Sequence, residues 1–327
     1  MKMHERRVLL VRRRAVMCAA LMTALPAAAQ TPEFPNRPVR LLVGTAPGGA
    51  IDIVARIVTA HVQKTLGHPF VIEYHPGPFT AMKLVSGAAP DGHTLMIAST
   101  TITVNPSLYP KSGLDASSMT PVAKLTDTPI VLVTRPDLGV NSVAELLKLA
   151  RAQQGKLSFA TAGVGSPPHL AGELFKSVMD VDMLHVPYKG VAPALVDVTA
   201  GRVDVMFTSF GSVLAFIKAN RVKVLAVTNE QRVAQMPEVA TLRELGHPAA
   251  TFGSWTGVIA PPKLPTEIVS VLNRDFVRAL QDSVVQKLLA EQGFTPSAST
   301  AGEFGSLLRT ETLSFKALIA RAGISVE

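Results

Sequence analysis

The chain has 327 residues, 47% apolar and 17% charged, which argues against a disordered or coiled-coil protein and makes two lobes the default. Aromatics make up 5% with a single Trp, so no base-stacking nucleic-acid surface is expected. The net charge is +8, but residues 1–29 carry six Lys or Arg against one Glu, which leaves only +3 on the rest and no basic patch for nucleic acid.

Residues 1–29 read as a signal peptide. Arg12-Arg13-Arg14 precedes an apolar stretch at 15–25, Pro26 breaks it, and Ala27-Ala28-Ala29 offers an A-x-A cleavage site. The stretch is too short to span roughly 30 Å of hydrocarbon, which disfavours a membrane anchor. Either the general or the twin-arginine export route suits the arginine run. Cys18 is the only cysteine, so the mature chain is expected to lack thiol chemistry and disulfides.

After the leader, strand and helix alternate, the pattern of α/β units with largely parallel sheets. A buried strand at 39–43 runs into the turn Ala46-Pro47-Gly48-Gly49. Ile51, Val54, Ile57 or Val58, Val62 and Leu66 then recur at helical spacing until Gly67. Strands follow at 70–74, 94–98 and 129–134. A helix then starts at a capping box of Ser142 and Glu145. A strand at 157–160 leads into the Gly-rich turn 161–166, and Pro167 opens the next helix. Strands at 182–186, 203–207 and 222–227 come next with helices between them, and another strand follows at 255–260. The remainder reads as helices near 265–281, 283–291 and 300–321, the last opened by Thr300 with Glu303 and closed by Gly323.

Two Gly-rich strand-to-helix turns therefore stand out, at 46–49 and 161–166. Each should leave backbone N–H groups unpaired at a helix N-terminus, where the dipole favours an anion, and two such facing sites would suit a ligand with two acidic or polar ends. Neither is a nucleotide fingerprint, since G-x-G-x-x-G and a Walker lysine are both missing. Ser166 is equally well placed as a helix cap, and no nucleophile elbow surrounds it. His169 follows three residues later, but no oxyanion hole or third catalytic member is visible, so a surface or capping role is expected of it. Asp52 reads as a ligand contact or as an acid placed by the helix dipole. No His or carboxylate spacing suits a metal, so no metal and no cofactor are expected.

The stretch Arg40-Leu-Leu-Val-Gly-Thr-Ala-Pro-Gly-Gly-Ala-Ile-Asp-Ile-Val-Ala-Arg56 resembles the opening of the Bug family, the extracytoplasmic solute receptors of tripartite tricarboxylate transporters. Further matches follow in order: Pro90-Asp-Gly-His-Thr-Leu95, Asn105-Pro-Ser-Leu-Tyr109, Gly155-Lys-Leu-Ser-Phe-Ala160 and Gly163-Val-Gly-Ser-Pro-Pro-His-Leu-Ala171. His185-Val-Pro-Tyr-Lys-Gly190, Leu225-Ala-Val-Thr228 and Ala320-Arg-Ala-Gly-Ile324 complete the series, which spans roughly 34–327.

The resemblance implies an α/β, two-lobed Venus-flytrap periplasmic-binding-protein fold with crossover strands. It puts lobe 1 at 34–130 plus 255–327 and lobe 2 at 131–254, with a hinge near 125–134 and 251–260. It implies a periplasmic monomer that binds a small carboxylate or related metabolite and delivers it to membrane carrier subunits. The ligand-binding residues it implies are Ala46, Pro47, Gly48, Gly49 and Asp52 in the first loop. Thr161, Ala162, Gly163, Val164, Gly165, Ser166 and His169 form the second. Ser99, Thr100 and Asn105 line the cleft from lobe 1, and Tyr188 and Lys189 approach from lobe 2. The chain departs from the family pattern at Gly44-Thr45, at 74–80, at Thr208 and at Ala215, which leaves the usual ligand open. A membrane-kinase sensor would share this binding event. An exported hydrolase using Ser166 and His169 is the less favoured reading, because no nucleophile, base and orienting acid form a set.

Overall fold

The computed structural model describes residues 34–45, 47–75 and 79–324. The leader expected at 1–29 lies outside the described residues, as does Ala46.

Two sheets carry the fold. The first contains β1 (Val39–Val43), β2 (Phe70–Tyr74), β3 (Thr94–Ser99), β4 (Thr120–Thr128), β10 (Ser254–Ala260) and β11 (Thr295–Pro296), in the order β11-β4-β10-β3-β1-β2. The second contains β5 (Ile130–Thr134), β6 (Ser158–Thr161), β7 (Leu184–Pro187), β8 (Val205–Ser209) and β9 (Lys223–Val227), in the order β7-β6-β8-β5-β9. β1 pairs parallel with β2 and β3, whereas β10 runs antiparallel to β3 and β4. β6 is parallel to β7 and β8.

Ten α-helices are described: α1 (Ala50–Leu66), α2 (Thr80–Ser86), α3 (Thr101–Leu108), α4 (Val143–Ala152), α5 (Pro167–Met179), α6 (Val191–Thr199), α7 (Phe210–Lys218), α8 (Thr266–Gln281), α9 (Ser283–Glu291) and α10 (Ala301–Ala322). Helix α1 buries Val54, Val58, Val62 and Leu66 and stops at Gly67 in the left-handed conformation. At α10 the expected capping box is complete, with Thr300 and Glu303 each bonding the other's backbone. At α4 the box is displaced by one residue: Ser142 Oγ accepts from Glu145 N–H, but the Glu145 carboxylate accepts from Asn141 N–H at 2.7 Å.

Strands β4 and β11 and helices α2 and α3 escape the sequence pattern. β4 contains Pro121, Lys124 and Asp127, so its apolar alternation is broken, yet it pairs with both β10 and β11. Its register shifts beside Pro121, an irregularity that accommodates a residue without a donor. Helices α2 and α3 are short, and α3 contains Pro106.

The chain passes from the first sheet to the second through Pro129 alone and returns through 228–253. The two crossings are tied together. Thr228 N–H donates to Ile130 O (2.8 Å), Phe252 N–H donates to Thr228 O (2.8 Å) and Ile130 N–H donates to Asn229 Oδ1 (2.8 Å). Each sheet has apolar cores on both faces. Phe276, Leu272 and Val58 cover one face of the first, and Trp255, Phe304 and Leu308 the other. A core of Phe159, Phe175, Phe207 and Leu170 in the second lobe also takes Val104 and Leu108 from α3 and Phe315 and Leu318 from α10. The last helix therefore packs on both lobes. Among the described residues no helix is long and apolar enough to cross a membrane.

Candidate functional site

The first Gly-rich turn leaves the carboxyl end of β1 and enters α1. Open α/β sheets place ligands at such carboxyl ends. Gly48 lies at φ +84°, a conformation that favours glycine, while Gly49 caps α1 at φ −80° without a side-chain bond. The amides of Ala50 and Ile51 face out of the helix start, with no acceptor inside the helix.

Asp52 braces this turn from within. It is 3% exposed. Its Oδ2 accepts from Gly48 N–H (2.8 Å), and its Oδ1 accepts from Tyr74 OH (2.6 Å) and Arg56 Nε (2.9 Å). Arg56 also donates to Tyr74 OH. Burial opposes ionisation of Asp52, but the bonds from Tyr74, Gly48 and Arg56 outweigh it and hold the carboxyl below its ordinary range. Both oxygens are thus engaged by the protein's own donors, as is the Gly48 amide that the sequence suggested would be free.

The second turn leaves β6 and enters α5. Gly163 and Gly165 have φ of +141° and +73°. Ser166 Oγ caps α5 by accepting from His169 N–H (3.4 Å) and donates to Gly163 O (2.7 Å), so the capping role holds its hydroxyl inside the turn. Gly165 N–H donates to Nδ1 of His169 (3.1 Å), which places the ring proton on Nε2. His169 is 4% exposed and stacks on His185, ring centroids 3.9 Å apart, with the Phe159 ring 4.8 Å from His185 and 6.4 Å from His169. Thr161 Oγ1 lies 2.7 Å from His185 Nε2. Burial pushes His169 down to about 3 and His185 to about 4, helped by Lys176 and, for His169, by His185. Both rings are neutral at physiological pH.

The other expected positions divide. Ser99 and Asn105 line a cavity of about 80 Å³ at the ends of β1 and β3, together with Thr45, Ile51, Met82, Thr101 and Ile102. Thr100 is fully buried, where its Oγ1 donates to Ser254 Oγ (3.3 Å) and accepts from Trp255 N–H (3.0 Å). Tyr188 is half-buried and donates to Asp197 Oδ2 (2.7 Å); burial and that bond push it up to about 12. Lys189 is exposed, Pro47 and Val164 are exposed on their turns, and Ala162 is half-buried. Thr208 Oγ1 is buried without a hydrogen-bond partner.

Sequence reasoning missed the apolar wall of Ile51, Met82 and Ile102, and missed Tyr74 and His185 as braces. Tyr74 has a positional signal: it pairs with Val43 at the end of β1, beside the turn it supports. A larger cavity of about 540 Å³ lies beside the crossing strands, lined by Lys124, Asp127, Trp255 and Glu311 among others, and shares no residue with the first. There Glu311 Oε2 accepts from Trp255 Nε1 (2.7 Å) and Thr103 Oγ1 (3.2 Å), and burial pushes its carboxyl up to about 7.

Residues 54–324 match the family described as tripartite tricarboxylate transporter family receptor. The chain belongs to that family. This receptor is 36% identical to a Pseudomonas sp. (strain P51) protein from the tcbD–tcbE intergenic region, over 92% of this chain and 90% of that relative. It is 31% identical to BugT of Bordetella pertussis, over 95% and 97%. Among solved structures, an R. palustris protein with adipate shares 31% identity and a TM-score of 0.78, covering 90% of this receptor and 99% of that chain. MatC from Rhodopseudomonas palustris with bound malate shares 32% and 0.75, covering 88% and 100%. The two-lobed α/β architecture and the solute-receptor class are those of this family, which is one of receptors and not of enzymes.

Proposed function

We propose that this receptor captures a small carboxylate in the cleft between residues 47–49 and 163–166, and hands it to the membrane subunits of a tripartite transporter. The lobes are taken as 34–130 with 255–327, and 131–254. The mature protein acts as a periplasmic monomer after loss of residues 1–29, and performs no chemistry on the solute. One observation carries the reading: each lobe presents a Gly-rich turn at the carboxyl end of a parallel strand, and each turn is braced by a side chain four residues after its glycine. Bracing fixes the turn before ligand arrives, so little ordering entropy is lost on binding. The carboxylates in the adipate and malate complexes of the related structures support the ligand class.

A thermal-shift screen of the mature protein against carboxylates, amino acids and vitamins tests it. A ligand at 100 times its dissociation constant adds about 2.7 kcal/mol. Stabilisation by neutral solutes alone would sink the carboxylate reading.

A further inference from the structure

The cavity at the ends of β1 and β3 is lined by the apolar Ile51, Met82, Met96 and Ile102 and the polar Thr45, Ser99, Thr101 and Asn105 among others. None of its described lining residues is charged. The charged groups nearby are already satisfied. Asp52 is filled by Gly48, Tyr74 and Arg56, and Arg56 is held by Asp52 and Tyr74. In the second turn His169 and His185 are neutral and stacked, so they add no positive charge. Of the expected site residues only Lys189 is a cation, and it makes no ion pair among the described residues.

This charge count suits one anionic end. The free amides at the start of α1 and the dipole there can serve a single carboxylate. A second carboxylate held against Met82 and Ile102 would lose its water with no charged partner in the described lining of this cavity. An ammonium group would find no open acceptor carboxylate. An apolar group, in contrast, gains by leaving water for this wall.

We propose that the cleft selects a singly charged carboxylate with an apolar body, and discriminates against dicarboxylates and amino acids. This rests on the receptor reading above and names its substrate class.

The test is calorimetric titration of the mature protein at neutral pH with benzoate, hexanoate, malate, adipate and phenylalanine. Benzoate or hexanoate should bind at least about tenfold tighter than the other three. Thr101→Lys, placed on the cavity wall, should shift the malate-to-hexanoate preference toward malate by about tenfold. Ser99→Lys, on the same wall, is the second variant should Thr101→Lys fail to fold by circular dichroism. Malate, adipate or phenylalanine binding as tightly as the monocarboxylates overturns the selection while leaving the receptor reading intact. An unchanged preference in a folded lysine variant overturns the placement of the ligand body on this wall. Failure of every carboxylate to bind removes both readings.

Discussion

Gly165 donates its amide to Nδ1 of His169 at 3.1 Å, and Gly48 does the same to Oδ2 of Asp52 at 2.8 Å. The donor in each turn is a left-handed glycine, and the acceptor is a buried side chain four residues on, in the first turn of the next helix. One brace is an anion and the other a neutral ring. The two turns therefore differ in charge although they share a geometry.

The ring brace makes the fold sensitive to acid. The unfolded pKa of His is about 6.5, and both folded values are depressed, to about 3 for His169 and about 4 for His185. Below pH 6.5 the unfolded chain takes up protons that the folded chain refuses. Their contribution to stability is complete above that pH and is lost as the pH falls toward 4, at up to about 1.4 kcal/mol per pH unit for each ring. Urea unfolding across pH 4–7 should show that loss, and His185→Gln should flatten it. An unchanged slope in the variant would contradict it.

Glu311 has the opposite sign. Its folded pKa is raised from about 4.5 to about 7, so the folded state keeps a proton that the unfolded state loses. Stability from this group is present below pH 4.5 and falls as the pH rises through 7. Glu311→Gln keeps an acceptor for Trp255 Nε1 and removes the buried charge. It should stabilise the protein at pH 8 by on the order of 2–3 kcal/mol, and by much less at pH 5. Equal effects at both pH values would contradict the raised pKa of Glu311.

Gly165 also meets helix α3. A Cβ there would overlap Cδ1 of Leu108, at a φ of +73° that side chains rarely adopt. Gly165→Ala should destabilise by about 1–3 kcal/mol through strain and overlap together. Leu108→Ala should remove the overlap, so the double variant is less destabilised than the sum of the two singles. Additive effects would show that the two residues do not touch.

Asp52→Ala removes three hydrogen bonds to one carboxylate. Bonds to charged groups contribute about 1.5–3 kcal/mol each, though neighbours in one network do not add fully. A loss of about 2–4 kcal/mol in stability is expected, together with weaker ligand binding because the amides of the first turn lose their support. Wild-type stability in urea would refute the bracing role.

Gly49 lies at φ −80°, which any residue adopts. Gly49→Val should therefore leave the protein folded while its side chain blocks approach to the amides of Ala50 and Ile51. Titration should show lost binding with an unchanged melting temperature. Unchanged affinity would move the ligand away from this turn.

Much of this protein is decided by neighbours in sequence. The strand-to-helix alternation, the stop at Gly67, the cap at Thr300 and the two glycine-rich turns depend on residues within a few positions of one another, so periodicity and turn chemistry reveal them. Ser166 is a cap for the same local reason. The wall of Ile51, Met82 and Ile102 is different: it joins three helices that only the pairing of β1 with β3 brings together. The partners of Asp52 and His169 also needed the fold. Tyr74 reaches Asp52 because β2 pairs with β1, and His185 stacks on His169 because β7 pairs with β6. Glu311 meets Thr103 across 208 residues, since α10 folds back over α3. β4 was hidden because Pro121 and two charges break its alternation, and its pairing with β10 and β11 overrides that local signal. Local rules thus set where the turns lie and which helices they start. Long-range packing set which groups face them, which donors are left over and what charge the cleft carries.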